Sequence, residues 1–168
     1  MSRLLADDLG REVLIPEQPQ RIISLCPSVT YSLIKLGCRN QLAGRTRYCI
    51  HPREEVAGIP VVGPVQGFSM DAVHALNPDL ILAVKEENAK DEVLKLSELY
   101  PVFVFDVDDV EKNAAHLLKL GVLCGKEKEA EEIVGSFPKF ALPEKALQSL
   151  YLIWKDPWMG VGTKSYTG

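Results

Sequence analysis

The run Ser69-Met70-Asp71-Ala72-Val73-His74-Ala75-Leu76-Asn77-Pro78-Asp79-Leu80-Ile81-Leu82-Ala83-Val84 holds a helix and a strand back to back. Ser69 is a helix-capping residue ahead of Met70–Leu76, and that helix must stop at Asn77-Pro78, because a residue before proline avoids helical angles. Asp79 then leads into Leu80–Val84, an unbroken apolar run, which is how a strand buried on both faces reads. A strand of that kind needs helices above and below it.

The same alternation extends outward in both directions. Toward the N-terminus, Arg21–Cys26 reads as a strand closed by Pro27, with Ser28 or Thr30 capping a short helix through Leu36 that Gly37 ends. Gln41–Thr46 and Pro60–Val62 are weaker strands. Toward the C-terminus, the spacing predicts a helix from Asn88 to Leu99, capped by Asn88, with Val93, Leu94, Leu96 and Leu99 as its apolar face. Pro101 opens the strand Val102–Phe105, and Asp108 or Asp109 caps a helix through Leu123 that Gly125 closes. Glu127–Val134 continues as a charged helix weakened by Gly135 and Pro138, and Leu150–Trp154 is a last strand. Strands and helices in strict alternation mean an α/β fold built on a mostly parallel, Rossmann-like sheet.

Composition narrows the function classes. The chain has 168 residues, enough for one domain or one domain and part of a second. A net charge of −4 without a basic stripe argues against nucleic acid as a partner. The longest apolar runs are far too short to span a bilayer. Cys26, Cys38 and Cys124 fit no metal or disulfide spacing and read as reduced, buried small hydrophobes, which favours a reducing compartment. Residues 1–8 lack an apolar leader core, so the expected location is cytoplasmic, or periplasmic or cell-surface if a leader was removed. Gly121–Glu127 fails as a phosphate loop on its glycine spacing, and GxGxxG, GxSxG and HExxH are absent.

In a parallel sheet, ligands bind outside the carboxyl ends of the strands. The loops there hold the candidate residues. Arg45, Arg47 and Tyr48 suit an anionic or aromatic ligand edge, or are ordinary solvated surface groups. Cys49 and His51 are a soft-ligand pair for a transition metal; alternatively Cys49 packs inward and His51 bonds its own loop. Glu86 and Glu87 face a ligand or simply follow the dipole of the next helix. Trp154 and Trp158 offer a flat platform, or Trp154 is core. His74 and His116 read as surface or core histidines.

Asp7-Asp8-Leu9-Gly10-Arg11-Glu12-Val13 followed by Pro19-Gln20-Arg21-Ile22-Ile23-Ser24-Leu25-Cys26-Pro27-Ser28-Val29-Thr30 resembles the opening of a known family. So do Ile59-Pro60-Val61-Val62-Gly63, Ser69-Met70-Asp71, Leu76–Leu82 and Asp106–Val110, in that order. The family is the helical-backbone metal receptors, the cobalamin-, haem- and ferric-siderophore-binding proteins of ABC importers. The resemblance covers roughly residues 7–160. It implies an N-terminal α/β lobe over 1–108, a long connecting helical segment over 109–140, and over 141–168 the first strand and loop of an incomplete second lobe.

The function so implied is non-enzymatic binding of a metal chelate in the cleft between lobes, a corrinoid first, then haem or a ferric siderophore. No intrinsic cofactor is expected. Tyr48 and Trp158 would cover the chelate's face, with Trp154 and Trp158 opposite the Arg45–His51 and Lys85–Asn88 loops. Arg47 and Asn88 would bond its edge, His51 would be the axial donor and Cys49 the reserve ligand. Tyr31 stands where transport members carry the Glu that docks on permease arginines, so permease contact is expected to be weak. Self-association through the incomplete lobe is a further expectation. The competing classes are a metal-dependent enzyme or metallochaperone using Cys49, His51 and Glu86, and a module that binds a protein partner.

Overall fold

The computed structural model describes residues 1–138 and 150–161. In chain order its first strands are β1 (Ser2–Ala6), β2 (Glu12–Pro16) and β3 (Ile22–Ser24), followed by α1 (Pro27–Lys35) and a 3-10 turn at Arg39–Gln41. Next come β4 (Leu42–Thr46), α2 (Arg53–Val56), β5 (Val61–Gly63), α3 (Met70–Leu76) and β6 (Leu80–Val84). The chain continues through α4 (Lys90–Ser97), β7 (Val102–Phe105), α5 (Val110–Cys124), α6 (Glu127–Gly135), β8 (Leu152–Trp154) and β9 (Met159–Gly160).

Five strands form one parallel sheet in the order β5-β4-β3-β6-β7. The pleat divides its apolar residues between two clusters. Ile22, Leu80, Leu82, Val84, Phe103 and Phe105 point to one face, covered by α1, α5 and α6. Ile23, Leu25, Ile81, Ala83, Val102 and Val104 point to the other, covered by α3 and α4. Every residue of β6 is buried, as its unbroken apolar run requires. This is the α/β fold expected from the alternation of strands and helices.

Several boundaries differ from the expectation for physical reasons. Cys26, not Ser28 or Thr30, is the N-cap of α1, and Pro27 opens the helix, where a missing N–H costs nothing. The Thr30 hydroxyl instead sits 2.9 Å from Ser24 Oγ and 3.1 Å from the Cys26 carbonyl, under the helix start. Helix α4 is capped by Ala89 rather than Asn88, and buries Val93 and Leu96 while Leu94 and Leu99 stay exposed.

Segment 109–138 holds two helices, divided at Gly125 as the sequence leads one to expect. Asp109 caps α5 through a 2.6 Å bond from the Lys112 N–H, and Gly125 ends it in the left-handed conformation (φ 68°). Helix α6 then folds back against α5. Gly121 allows that approach, since a Cβ there would lie 2.6 Å from the Ala130 Cβ and 2.9 Å from the Lys126 carbonyl oxygen.

An antiparallel hairpin, β1–β2, precedes the strands read above, and its Val13 and Ile15 alternate with exposed Glu12 and Leu14 in a clear strand period. Its turn covers the open edge of β7. Asp8 N–H donates to the Val104 carbonyl (3.1 Å), Asp106 N–H to Asp8 (3.0 Å), and Arg11, paired with Asp7 at 2.7 Å, donates to the Val102 carbonyl. The edge is thereby closed to pairing with another chain. Of the expected second-lobe segment, the described part is residues 150–161, where β8 and β9 form an antiparallel hairpin; residues 141–149 and 162–168 lie outside the described residues. Among the described residues no helix is long and apolar enough to cross a membrane.

Candidate functional site

Strand order reverses at β3. The chain runs outward from β3 through β4 to β5, then crosses back so that β6 lies on the other side of β3. The loops after β3 and β6 therefore diverge, and a crevice opens between them. A cavity of about 180 Å³ occupies that crevice. Its walls include Cys26 and Ser28 from the start of α1, Glu86 and Glu87 after β6, and Asn113 and His116 on α5.

Two side chains in this cavity have unusual surroundings. His116 is only 4% exposed, packs edge-on against Phe105 with ring centroids 4.2 Å apart, and its Nδ1 has no hydrogen-bond partner. Burial lowers its pKa to about 4, with Asp8 pulling upward and Lys119 pushing down, so the ring is uncharged at neutral pH. Cys26 Sγ lies 3.2 Å from Ser28 Oγ, and burial pushes its thiol above the usual range. A protonated, buried thiol is a poor nucleophile.

The carboxylates at the mouth are different. Glu86 and Glu87 are exposed and belong to no ion pair among the described residues. The nearby cations are already engaged: Lys85 with Asp106 at 2.7 Å, Lys112 with Asp108 at 2.6 Å, and Lys119 with Asp8. The Lys112 contact holds the Asp108 carboxyl below its usual range.

The other candidate residues do not converge. Asn88 is buried and fully engaged: its Oδ1 accepts from Val84 N–H (2.9 Å), and its Nδ2 donates to the carbonyls of Leu25 (3.2 Å) and Val65 (2.8 Å). It ties three strand-end loops together. Arg45 spends its guanidinium on the carbonyls of Val56 and Thr46, each at 3.2 Å. Arg47 and Tyr48 are exposed on the loop after β4. Cys49 turns inward, 1% exposed and 3.1 Å from Thr46 Oγ1, whereas His51 is exposed in a shallow depression that it shares with Arg45 and α2. Among the described residues no three His, Cys, Asp or Glu side chains are gathered to hold a metal ion.

Trp154 and Trp158 are both about two-thirds exposed on the β8–β9 hairpin, with the Lys155 ammonium 5.9 Å from the Trp158 ring. Tyr31 is exposed on α1, and Lys35 lies over its ring at 5.3 Å. His116, Asn113 and Ser28 line the crevice cavity, and no local sequence pattern marks them together. The i, i+3 spacing of Asn113 and His116 marks one helix face, but only the packing of α5 on β7 shows that this face borders the crevice.

Comparison with known proteins bears on the family and the fold. A sequence model described as periplasmic binding protein matches residues 22–142. The chain is 29% identical over 120 residues to the vitamin B12-binding protein of Pectobacterium carotovorum subsp. carotovorum (strain PC1), covering 71% of this chain and 43% of that protein. It is 28% identical over 134 residues to an ABC transporter substrate-binding lipoprotein, YvrC, of Bacillus subtilis (strain 168), covering 77% and 42%. The chain thus spans under half the length of these relatives. Among solved structures, its fold matches the periplasmic vitamin B12 binding protein BtuF of Vibrio cholerae with a TM-score of 0.75 at 18% identity, over 89% of this chain and 62% of that one.

Proposed function

The chain belongs to the periplasmic binding protein family, and on that premise we propose that it binds a metal chelate without transforming it, as the substrate-binding component of an ABC-type importer. A corrinoid is the first candidate, with haem or a ferric siderophore next. The observation that carries this reading is the rim at the carboxyl ends of the sheet: five parallel strands end on one edge, and their loops present Arg47, Tyr48, Glu86 and Glu87 outward. The 29% identity to a vitamin B12-binding protein supports the corrinoid.

The rim is held rigid by Asn88 and by the Ser24–Thr30 contact, so little reorganisation is needed to bind. Tyr48 then stacks on the flat face of the chelate and Arg47 bonds its polar edge. His51, exposed and outward-facing, is the axial donor if one is used. Trp154 and Trp158 supply the opposite wall. The compartment that fits this role is the periplasm or the cell surface, in keeping with the lipoprotein relative. The metal-enzyme alternative has less support, because Cys49, His51 and Glu86 are not gathered at one point.

Titration of the purified protein with hydroxocobalamin, haemin and a ferric siderophore, read by tryptophan fluorescence, tests the proposal. Saturable quenching by one chelate, weakened in Tyr48→Ala, is the expected result. Absence of saturable binding by all three overturns it.

A further inference from the structure

Cys38 and Cys124 stand 86 residues apart, outside any cysteine motif, yet the fold brings them into one apolar cluster. Each sits at the end of a helix. Cys38 follows Gly37, whose left-handed turn (φ 78°) closes α1, and the Cys38 N–H donates to the Leu33 carbonyl at 2.8 Å. Cys124 is the last residue of α5, just before left-handed Gly125. The two side chains are 1% and 4% exposed, and their thiols are hydrogen-bonded to each other. Neither lines the crevice cavity.

The two thiols are not equivalent. The hydrogen bond from Cys124 holds the Cys38 thiol below its usual range against the opposing effect of burial, and the Lys126 ammonium adds to it. The same contact, together with burial, pushes the Cys124 thiol up. Cys38 is therefore the sulfur that ionises first, and Cys124 is the one that keeps its proton. Their cover is thin, because Gly37 and Gly125, each next to one of the thiols, are exposed. Helix ends open locally at little cost, so fraying of the last turn of α1 uncovers Cys38 without opening the sheet.

We propose that Cys38 and Cys124 are a redox pair that closes into a disulfide, joining the end of α1 covalently to the α5–α6 turn. The oxidant is itself a disulfide, of the kind an oxidising compartment holds. The Cys38 thiolate attacks one sulfur of that disulfide and displaces the other as a thiolate. Cys124 then gives up its proton and attacks Cys38 Sγ, which releases the oxidant's second sulfur. Two electrons and two protons leave the cysteine pair, and the oxidant takes them up as two thiols. The periplasmic or cell-surface location proposed above supplies such an oxidant, whereas the pairing itself stands on the fold and not on chelate binding.

The test uses the full chain, reduced and then incubated with glutathione disulfide in the absence of any chelate. The thiol count after denaturation should fall from four to two, and a protease map should show the Cys38 and Cys124 peptides joined. Closing so long a loop should raise the thermal midpoint by about 10 °C over the reduced chain, a gain that dithiothreitol reverses. Cys26→Ala/Cys49→Ala, which leaves only the pair, should behave in the same way. Cys124→Ala should instead retain one glutathione on Cys38 as a trapped mixed disulfide. The peptide map of the unaltered chain decides the pairing whether or not these variants fold. A chain that keeps four thiols, a cross-link that includes Cys26 or Cys49, or an oxidised form no more stable than the reduced one overturns the proposal. A closed pair in a protein that binds no chelate overturns the chelate reading alone.

Discussion

Asn88 and His116 show how differently one buried polar side chain can be used. Asn88 satisfies one backbone N–H and two carbonyls from three separate loops. Asn88→Ala should destabilise the fold by about 2–4 kcal/mol, because orphaning one buried polar group costs about 1–3 kcal/mol. Denaturant unfolding measures this, and a neutral result would show that the side chain is free for other work. His116 instead keeps an unpaired nitrogen. Its folded pKa of about 4 lies below the ordinary 6.5, so the unfolded chain binds more protons between those values. Stability should therefore fall as pH drops from about 6.5 to 4, by roughly 3 kcal/mol from this group, and level off below. The difference between wild type and His116→Phe across that window isolates it from the neighbouring Asp8, Asp106, Glu86 and Glu87. Equal slopes would mean the imidazole is not buried uncharged.

At the scale of elements, the decisive contact is between α5 and α6. Gly125 turns the chain, and Gly121 lets α6 approach to a distance that leaves no room for a methyl group. Gly121→Ala should cost about 1–3 kcal/mol through overpacking, although alanine is the better helix former. A stabilised variant in thermal unfolding would show that the two helices are not packed this closely. The β1–β2 hairpin works at the same scale, since the Asp7–Arg11 pair and the Asp8 backbone close the β7 edge.

For the molecule as a whole, two surfaces bear on partners. In the importer role proposed above, Tyr31, exposed on α1, would give a permease arginine no charge-assisted bond. Tyr31→Glu should strengthen binding to a related ABC permease by about tenfold or more, since such a bond is worth about 1.5–3 kcal/mol. Tight binding by the unaltered protein would sink the idea. The hairpin exposes Leu152, Ile153, Trp154, Trp158 and Met159 together, an apolar patch of the kind that marks an interface. Sedimentation should detect concentration-dependent self-association that Ile153→Lys/Trp154→Lys relieves. A monomer at all concentrations would contradict it.

The apolar runs Leu80–Val84 and Val102–Phe105, with Ile22 and Ile23 in β3, were enough to specify a parallel α/β sheet, because a strand covered on both faces cannot alternate in polarity. Ser69, Asp109 and Gly125 were likewise readable as helix ends, since capping depends on a residue's own side chain or backbone freedom. The rim loops were legible for the same reason: they follow strands whose direction was known. The direction in which each rim side chain points was not. Cys49 and His51 lie two residues apart, yet one is core and the other surface; Asn88 reads as a cap and serves as a strut. His116, 28 residues further along the chain, meets Glu86 and Ser28 only because α5 packs across β7 beside the β3–β6 crevice. That meeting is a long-range product of sheet order, and no local pattern in the chain encodes it.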